Sequence, residues 1–514
     1  MKNTLKMTLA GLSALAMLTG CAFTRTTAAE AQTTESTLAS PVLVTAGSEL
    51  TNALDIEVSK RDASGEYDAS EAVTLSPGED LTITEAGTYI LSGTYTDQML
   101  VVSAGDGDKV QIVLDGASMT NSEGPVIYVQ NADKVFITAA DGTENFLSDG
   151  ADYTLTDEDT TLDAAVFSRD DLTLNGSGSL TVTGNYKHGV VSKDDLVITS
   201  ADLTVTAVNV GLNGKDCVKI SGASASVTAG TDGIRSDNTA ESDRGFISVI
   251  DSTLIITAEK DGIQAETAFL AENSSVSVTS GGGAGTAGAA GRSFGPWSSF
   301  GTVSNKSSKG VKAGVSIEIS GGSLTVDSLD DSIHTDGSVS ILSGIFDLRS
   351  GDDGIHAEEL VTIGGGTFSI TAAEGIEGTV IRISGGDITI RASDDGINAA
   401  HKSPDYTPAV EISGGTVVIS MGAGDTDGID ANGNITISGG SISITGSSAF
   451  DYDGTASLTG GTVTVNGQQV TSLQNQFGGM GGFGGGPGGQ GGQGGGFGGG
   501  PGSQGGGFGG GAHA

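Results

Sequence analysis

Carboxylates recur in this chain in groups larger than a turn requires. Asp330-Asp331, Asp352-Asp353, Glu374, Asp394-Asp395, and Asp425 with Asp427 each stand just before an apolar residue. A second polar position follows that apolar residue: Arg235, Gln264, Lys312, His334, His356, Glu377, Asn398, Asp430 and Asp451. If equivalent positions stack, the carboxylates form a ladder with rungs about 5 Å apart. At that distance they repel and raise one another's pKa unless a cation sits between them. Clustered hard oxygen donors select Ca2+. The candidate metal set is Asp352, Asp353, Glu374, Glu377, Asp394, Asp395, Asn398, Asp425, Asp427, Asp430, Asp451 and Asp453. A single Asp-Gly is also ordinary turn chemistry, since both residues tolerate left-handed backbone. A turn needs one Asp, however, whereas Asp394-Asp395-x-x-Asn398 and Asp425-x-Asp427-x-x-Asp430 each bring three oxygen-bearing side chains, which favours a metal there. His334 and His356 hold the same place in adjacent repeats, and with no cysteine beside them they read as solvated side chains.

The elements that position these groups follow from the repeat. Asp353-Gly354-Ile355, Glu374-Gly375-Ile376, Asp395-Gly396-Ile397 and Asp427-Gly428-Ile429 place isoleucines at spacings of 21, 21 and 32. Gly365-Gly366, Gly385-Gly386, Gly414-Gly415 and Gly439-Gly440 punctuate the intervals. A fixed period near 21 residues with alternating apolar residues marks a solenoid, whose units bury their apolar faces only by stacking. Within one unit, Ile381 and Ile383 alternate with polar residues, then Gly385-Gly386 turns the chain. Ile388 and Ile390 alternate again, Ser393 to Gly396 turns it, and Ile397 points in while Asn398 points out. Three short strands in so few residues leave no room for a helix. The fold class is therefore all-β, a parallel β-helix of about 21–22 residues per coil. A leucine-rich repeat would need a recurring Leu framework, and a propeller blade is about twice as long.

Coils are counted by the apolar residue after each turn: Ile127, Val166, Val190, Leu212, Ile234, Ile263, Val311, Ile333, Ile355, Ile376, Ile397, Ile429 and Phe450. The long interval from Ile263 to Val311 predicts an insertion near 281–309, which holds the only tryptophan, Trp297. A shorter insertion is expected around 401–407.

The ends are of other kinds. Lys2 and Lys6 precede an apolar run from Leu9 to Leu18, too short to span a membrane stably, which closes in Leu18-Thr19-Gly20-Cys21. That closing sequence resembles the lipobox of bacterial lipoproteins, and the resemblance implies lipidation at Cys21 and a membrane-anchored, outward-facing protein. The expected divisions are a signal peptide (1–20), a tether (21–45), a β-rich N-terminal cap (46–115), the β-helix (116–471) and a Gly-rich tail (472–514). The tail cannot pack a core and is expected to be disordered. Cys217 is the one other cysteine, so no disulfide framework exists. Lys and Arg number 23 against 63 Asp and Glu, a formal charge of −40. That balance argues against a nucleic-acid partner, which needs a basic surface.

The Asp-Gly-Ile and Ile-Ser-Gly-Gly coils, Val110 to Asn121, Asn131 to Val135 and Ala449 to Gly454 resemble the clostridial cell-surface carbohydrate-binding β-helix family, over about residues 50–470. The resemblance implies a calcium-bearing, right-handed parallel β-helix that binds cellulose and acidic, pectin-type polysaccharide. Trp297, Lys312, His334 and His356 are the candidate carbohydrate-binding residues on this view. The family in turn resembles the family-nine pectate lyases, whose calcium pattern Asp-Asp-x-x-Asp maps onto Asp394, Asp395 and Asn398, and onto Asp352, Asp353 and His356. A lyase needs a lysine base beside its metal. Lys402 is the one lysine after Lys312, and the sequence does not locate it against the acids. Binding without catalysis, lyase activity and a purely structural spacer therefore stand as the three expectations, in that order.

Overall fold

A computed structural model describes residues 54–475, apart from residue 80 and residues 155–160, 286–306 and 423–425. Cys21, Trp297 and Asp425 lie outside the described residues, as do the expected signal peptide and tether. The described residues belong to one compact unit, Thr45–Ala514. They form 41 strands and no helix.

The strands pair in parallel, each with its equivalent one coil away, which makes a β-helix with three faces. The first face carries the isoleucine line. Leu100 pairs with Ile127, and the pairing continues through Val166, Val190, Leu212, Ile234, Ile263 and Val311. It then runs through Ile333, Ile355, Ile376, Ile397, Ile429 and Phe450. Every coil position read from the sequence falls on this one line. Both insertions leave it intact, since Ile263 pairs directly with Val311 and Ile397 with Ile429. The strands of residues 73–121 join the same parallel ladders: Val73 pairs with Tyr89 and Tyr89 with Ile112. At the far end Val463 pairs with Val470 antiparallel, so the last described strand closes a hairpin instead of starting a coil.

Inward residues stack like on like. Ile333, Ile355, Ile376, Ile397 and Ile429 are fully buried, and Phe346 and Phe368 stack on the third face with ring centroids 4.4 Å apart. Burying each such side chain stabilises by roughly 1.5–3 kcal/mol, which is how units too small to fold alone hold one another. Strands of the third face alternate outward and buried residues, strictly so in Ser224–Ala229 and Thr367–Ala372.

The two glycine refrains have different causes. Gly386 turns the chain with φ 94°, a conformation only glycine adopts readily. Gly375, before Ile376, has no such φ. A Cβ there would lie 2.4 Å from the carbonyl oxygen of Gly396 and 2.5 Å from Ile390. Glycine in Asp-Gly-Ile is thus required by close approach between coils, and the left-handed turn expected there is absent. The acid before it has its own structural use. Asp331 Oδ1 accepts the N–H of Asp353 at 3.0 Å, and Asp395 Oδ1 accepts that of Asp427 at 2.8 Å, each one coil on.

A strap, residues 54–66, with a turn at 60–63, lies along the outside of the second face. Leu54 and Ile56 pack with Phe246 and Leu270, and Asp55 pairs with Lys219 at 3.2 Å. Asp62 pairs with Lys134 at 2.8 Å and accepts a bond from Thr173 at 2.5 Å, while Arg61 donates to Gln111 at 3.2 Å. The strap explains why outward residues such as Thr173 and Thr199 are buried on this face.

Candidate functional site

The outward position after each isoleucine builds one polar ladder on the first face. Arg235 pairs with Gln264, Gln264 with Lys312, Lys312 with His334, and His334 with His356. His356 pairs with Glu377, Glu377 with Asn398, Asn398 with Asp430, and Asp430 with Asp451. The ladder changes sign along its length, from cationic and neutral rungs to acids. Beside it runs the row of turn acids, in which Asp353 pairs with Glu374 and Asp427 with Ser448.

At the centre the two rows interlock. His334 Nδ1 meets Asp331 Oδ2 at 2.8 Å, and His356 Nδ1 meets Asp353 Oδ2 at 2.8 Å. His356 Nδ1 also lies 2.9 Å from Glu377 Oε2. The two imidazoles lie over one another, with ring centroids 4.7 Å apart. His356 is only 7% exposed, so the solvated side chain expected from the sequence is instead a packed one. Burial alone would lower its pKa, but Asp353 and Glu377 outweigh that and push it up to about 10. Lys309 Nζ bridges Asp330 and Asp331 at 2.9 and 2.8 Å.

Towards the C-terminal coils the charge is uncompensated. Burial, then Glu377 and Asp353, push the Glu374 carboxyl up to about 8. Asp395 is pushed up to about 7 by burial and the charges of Asp394, Asp430 and Asp427. Asp430 is pushed up to about 6 by burial, Asp451 and Asp427. Asn398 Nδ2 donates to Glu374 Oε2 at 2.9 Å, while its buried Oδ1 has no hydrogen-bond partner. An orphaned amide oxygen among carboxylates that resist ionisation is a donor set that a hard divalent cation fits.

The predicted residues divide. Asp352 gathers with Asp330 and Asp331, and Asp353 and Glu377 gather with His356, donor atoms within 4.8 Å in each group. Glu374, Asp394, Asp395, Asp427, Asp430, Asp451 and Asp453 join no group that tight among the described residues. Lys312 takes its expected rung between Gln264 and His334. The sequence reading left Lys309 out of the candidate set, although Lys309-Gly310-Val311 fills the slot of an Asp-Gly-Ile. It also left Lys402 unplaced. Lys402 Nζ lies 2.9 Å from Glu377 Oε1, because Thr379 Oγ1 accepts the backbone N–H groups of Lys402 and Ser403 and pins the insertion over the ladder. A third acid group, Asp171 with Asp194 and Asp195, lies far earlier in the chain. A groove of ≈ 930 Å³ beside the strap is lined by Arg61, Tyr67, Asp68 and Asp141.

A parallel β-helix whose outward side chains form one long polar ladder defines a class of solenoid that presents an extended surface to a ligand. The chain belongs to the carbohydrate-binding domain-containing protein family, whose profile matches residues 77–354 and 352–476. A carbohydrate-binding domain-containing protein of Acetivibrio thermocellus is 39% identical over 204 residues, which is 40% of this chain and 71% of the relative. The solved structure of a polysaccharide lyase-like protein from C. thermocellum, a gadolinium derivative, is 35% identical, with a TM-score of 0.40. That match covers 41% of this chain and 91% of the other.

Proposed function

We propose that this protein is a non-catalytic, lipid-anchored surface protein that binds a linear polysaccharide along the first face, with Ca2+ bridging its carboxylates to those of an acidic, pectin-type glycan. The observation that carries the reading is the unbroken ladder from Lys312 to Asp451, one polar side chain per coil. A repeating row of donors and acceptors suits a repeating polymer. Membership of a carbohydrate-binding family supports the ligand class.

Glu374, Asp394, Asp395, Asn398, Asp427 and Asp430 are the residues that would hold calcium. A bound ion would supply positive charge, letting these carboxylates ionise together and an anionic glycan approach a chain of charge −40. The protein's own part is to hold the donors at fixed rungs, and Asp395 does so while one of its oxygens anchors the next coil. In a pull-down, polygalacturonate is expected to bind in calcium and be lost in chelator at moderate salt, while neutral cellulose depends less on the metal. Equal binding of polygalacturonate with and without chelator would sink the bridging role.

One observation favours the lyase alternative: Lys402 sits against Glu377, beside the acids. A general base must be neutral to accept a proton. Burial works to lower the Lys402 pKa, but Glu377, Asp353 and Glu358 outweigh it and raise the value above the usual lysine range. The lysine is therefore a cation that balances the ladder, and binding remains the stronger reading.

A further inference from the structure

We propose that Asp353, His356 and Glu377, joined by His334 and Asp331 from the adjacent coil, form a separate metal centre selective for a zinc-class divalent ion over calcium. Three features of the geometry point there. First, His356 Nδ1 faces two carboxylate oxygens at once, Asp353 Oδ2 at 2.8 Å and Glu377 Oε2 at 2.9 Å. One N–H cannot serve two acceptors well at that distance, whereas a cation in place of the proton serves both. Second, His356 Nε2 is buried and has no hydrogen-bond partner, in a side chain only 9% exposed. A protonated ring and a ring that binds a metal through Nδ1 both place an N–H there, so this atom calls for a carboxylate acceptor in either state. Third, each histidine has a carboxylate near its other ring nitrogen: Asp336 is 3.4 Å from His334 Nε2, and Glu358 is 3.5 Å from His356 Nε2. Metal-bound histidines commonly give that second N–H to a carboxylate, which fixes the tautomer and strengthens the ligand. A small closure of Glu358 would supply the bond that is missing now.

The donor set decides the ion. Imidazole nitrogen suits zinc, copper, nickel and iron, while calcium prefers six to eight oxygens. Donor atoms of Asp331, His334 and His356 lie within 4.8 Å of one another, as do those of Asp353, His356 and Glu377. His356 is common to both groups, so one ion per chain is expected. Lys309 and Lys402, on Asp331 and Glu377, offset the remaining negative charge.

The test uses the full chain, stripped with chelator and titrated with Co2+ in excess Ca2+. One equivalent of Co2+ should bind with the visible absorption of a nitrogen-ligated ion, be displaced by one equivalent of Zn2+, and resist displacement by Ca2+. His334→Asn and His356→Asn should each weaken Zn2+ binding about ten-fold or more, read by metal titration and not by glycan binding, since both histidines are rungs of the ladder. Displacement of Co2+ by Ca2+, absence of bound Co2+, or unchanged Zn2+ affinity in the double variant would overturn the assignment. If a variant fails to fold, the competition on the unmodified chain decides the question alone. Loss of glycan binding with the zinc-class site intact would count against the proposed function instead.

Discussion

Lys402 Nζ and Glu377 Oε1 are 2.9 Å apart, although 25 positions separate the two residues in the chain. The pair joins an insertion loop to a rung of the ladder and fixes the charge state of both partners. Glu377 is held below the usual carboxylate range: burial opposes this, but His356 and Lys402 outweigh it.

The first prediction concerns catalysis. With Lys402 kept cationic, polygalacturonate incubated with calcium at alkaline pH should yield no unsaturated product absorbing near ~232–235 nm, the signature of proton abstraction and elimination. Steady product formation that vanishes in Lys402→Ala would make the protein a lyase.

Chelation should destabilise the fold, and more so as pH rises. Glu374, Asp395 and Asp430 bind protons more tightly folded than unfolded, since their pKa values are raised to about 8, 7 and 6. The stability they lend is complete below about pH 4 and is lost as pH climbs through those folded values. His356, raised to about 10, acts in the same direction at higher pH. His188, which burial pulls down to about 4, acts oppositely but only below its unfolded value of 6.5. In EGTA the unfolding midpoint should therefore fall as pH rises from about 4 to 8, each carboxylate contributing about 1.4 kcal/mol per pH unit at most until its folded value is passed. Calcium should flatten the fall, because an ion that binds only the native state stabilises it by mass action. A midpoint unmoved by EGTA at pH 8 would remove the metal from this face.

Replacing Asp394 and Asp395 together with alanine should cut polygalacturonate binding at least ten-fold, about 1.4 kcal/mol or more, and change cellulose binding far less. Asp395→Ala also removes the acceptor for the Asp427 N–H, so circular dichroism must show an intact β-helix for the comparison to count. Equal losses on both polymers would mean that the acids shape the face without contacting charge.

Cys21→Ala should shift the protein from the membrane fraction to the medium, or leave a longer chain with its leader uncut. Fractionation and migration identical to the unaltered protein would refute lipid attachment.

Much of this arrangement was legible in the sequence, and the reason is periodicity. One inward residue per coil, each followed by one outward residue, fixes both the isoleucine line and the polar ladder, because parallel pairing transmits register from coil to coil. The pairing of Asp331 with His334 and of Asp353 with His356 repeats one Asp-x-x-His spacing, yet burial of His356 depends on neighbours in two other coils. Lys402 was not legible, because an insertion's length says nothing of the direction in which it folds back. The Asp-Gly pairs read as turns, since close approach between coils selects the same glycine that a left-handed turn does. The strap of residues 54–66 has no apolar period, and its hydrogen-bond partners stand as far as 164 residues away.

That strap has a consequence for the order in which the chain becomes structured. Leu54 packs against Leu270, and Asp62 bonds Thr173 across 111 residues. During synthesis the strap leaves the ribosome before any strand it covers. It cannot dock until residue 270 has emerged and the intervening coils have stacked. Contacts this distant in sequence form late, since closing long loops is slow. The earliest residues of the described fold are thus fixed among the last. Until then Phe246 and the outward threonines of the second face stay uncovered, a window in which an extended segment from another molecule could occupy the same groove.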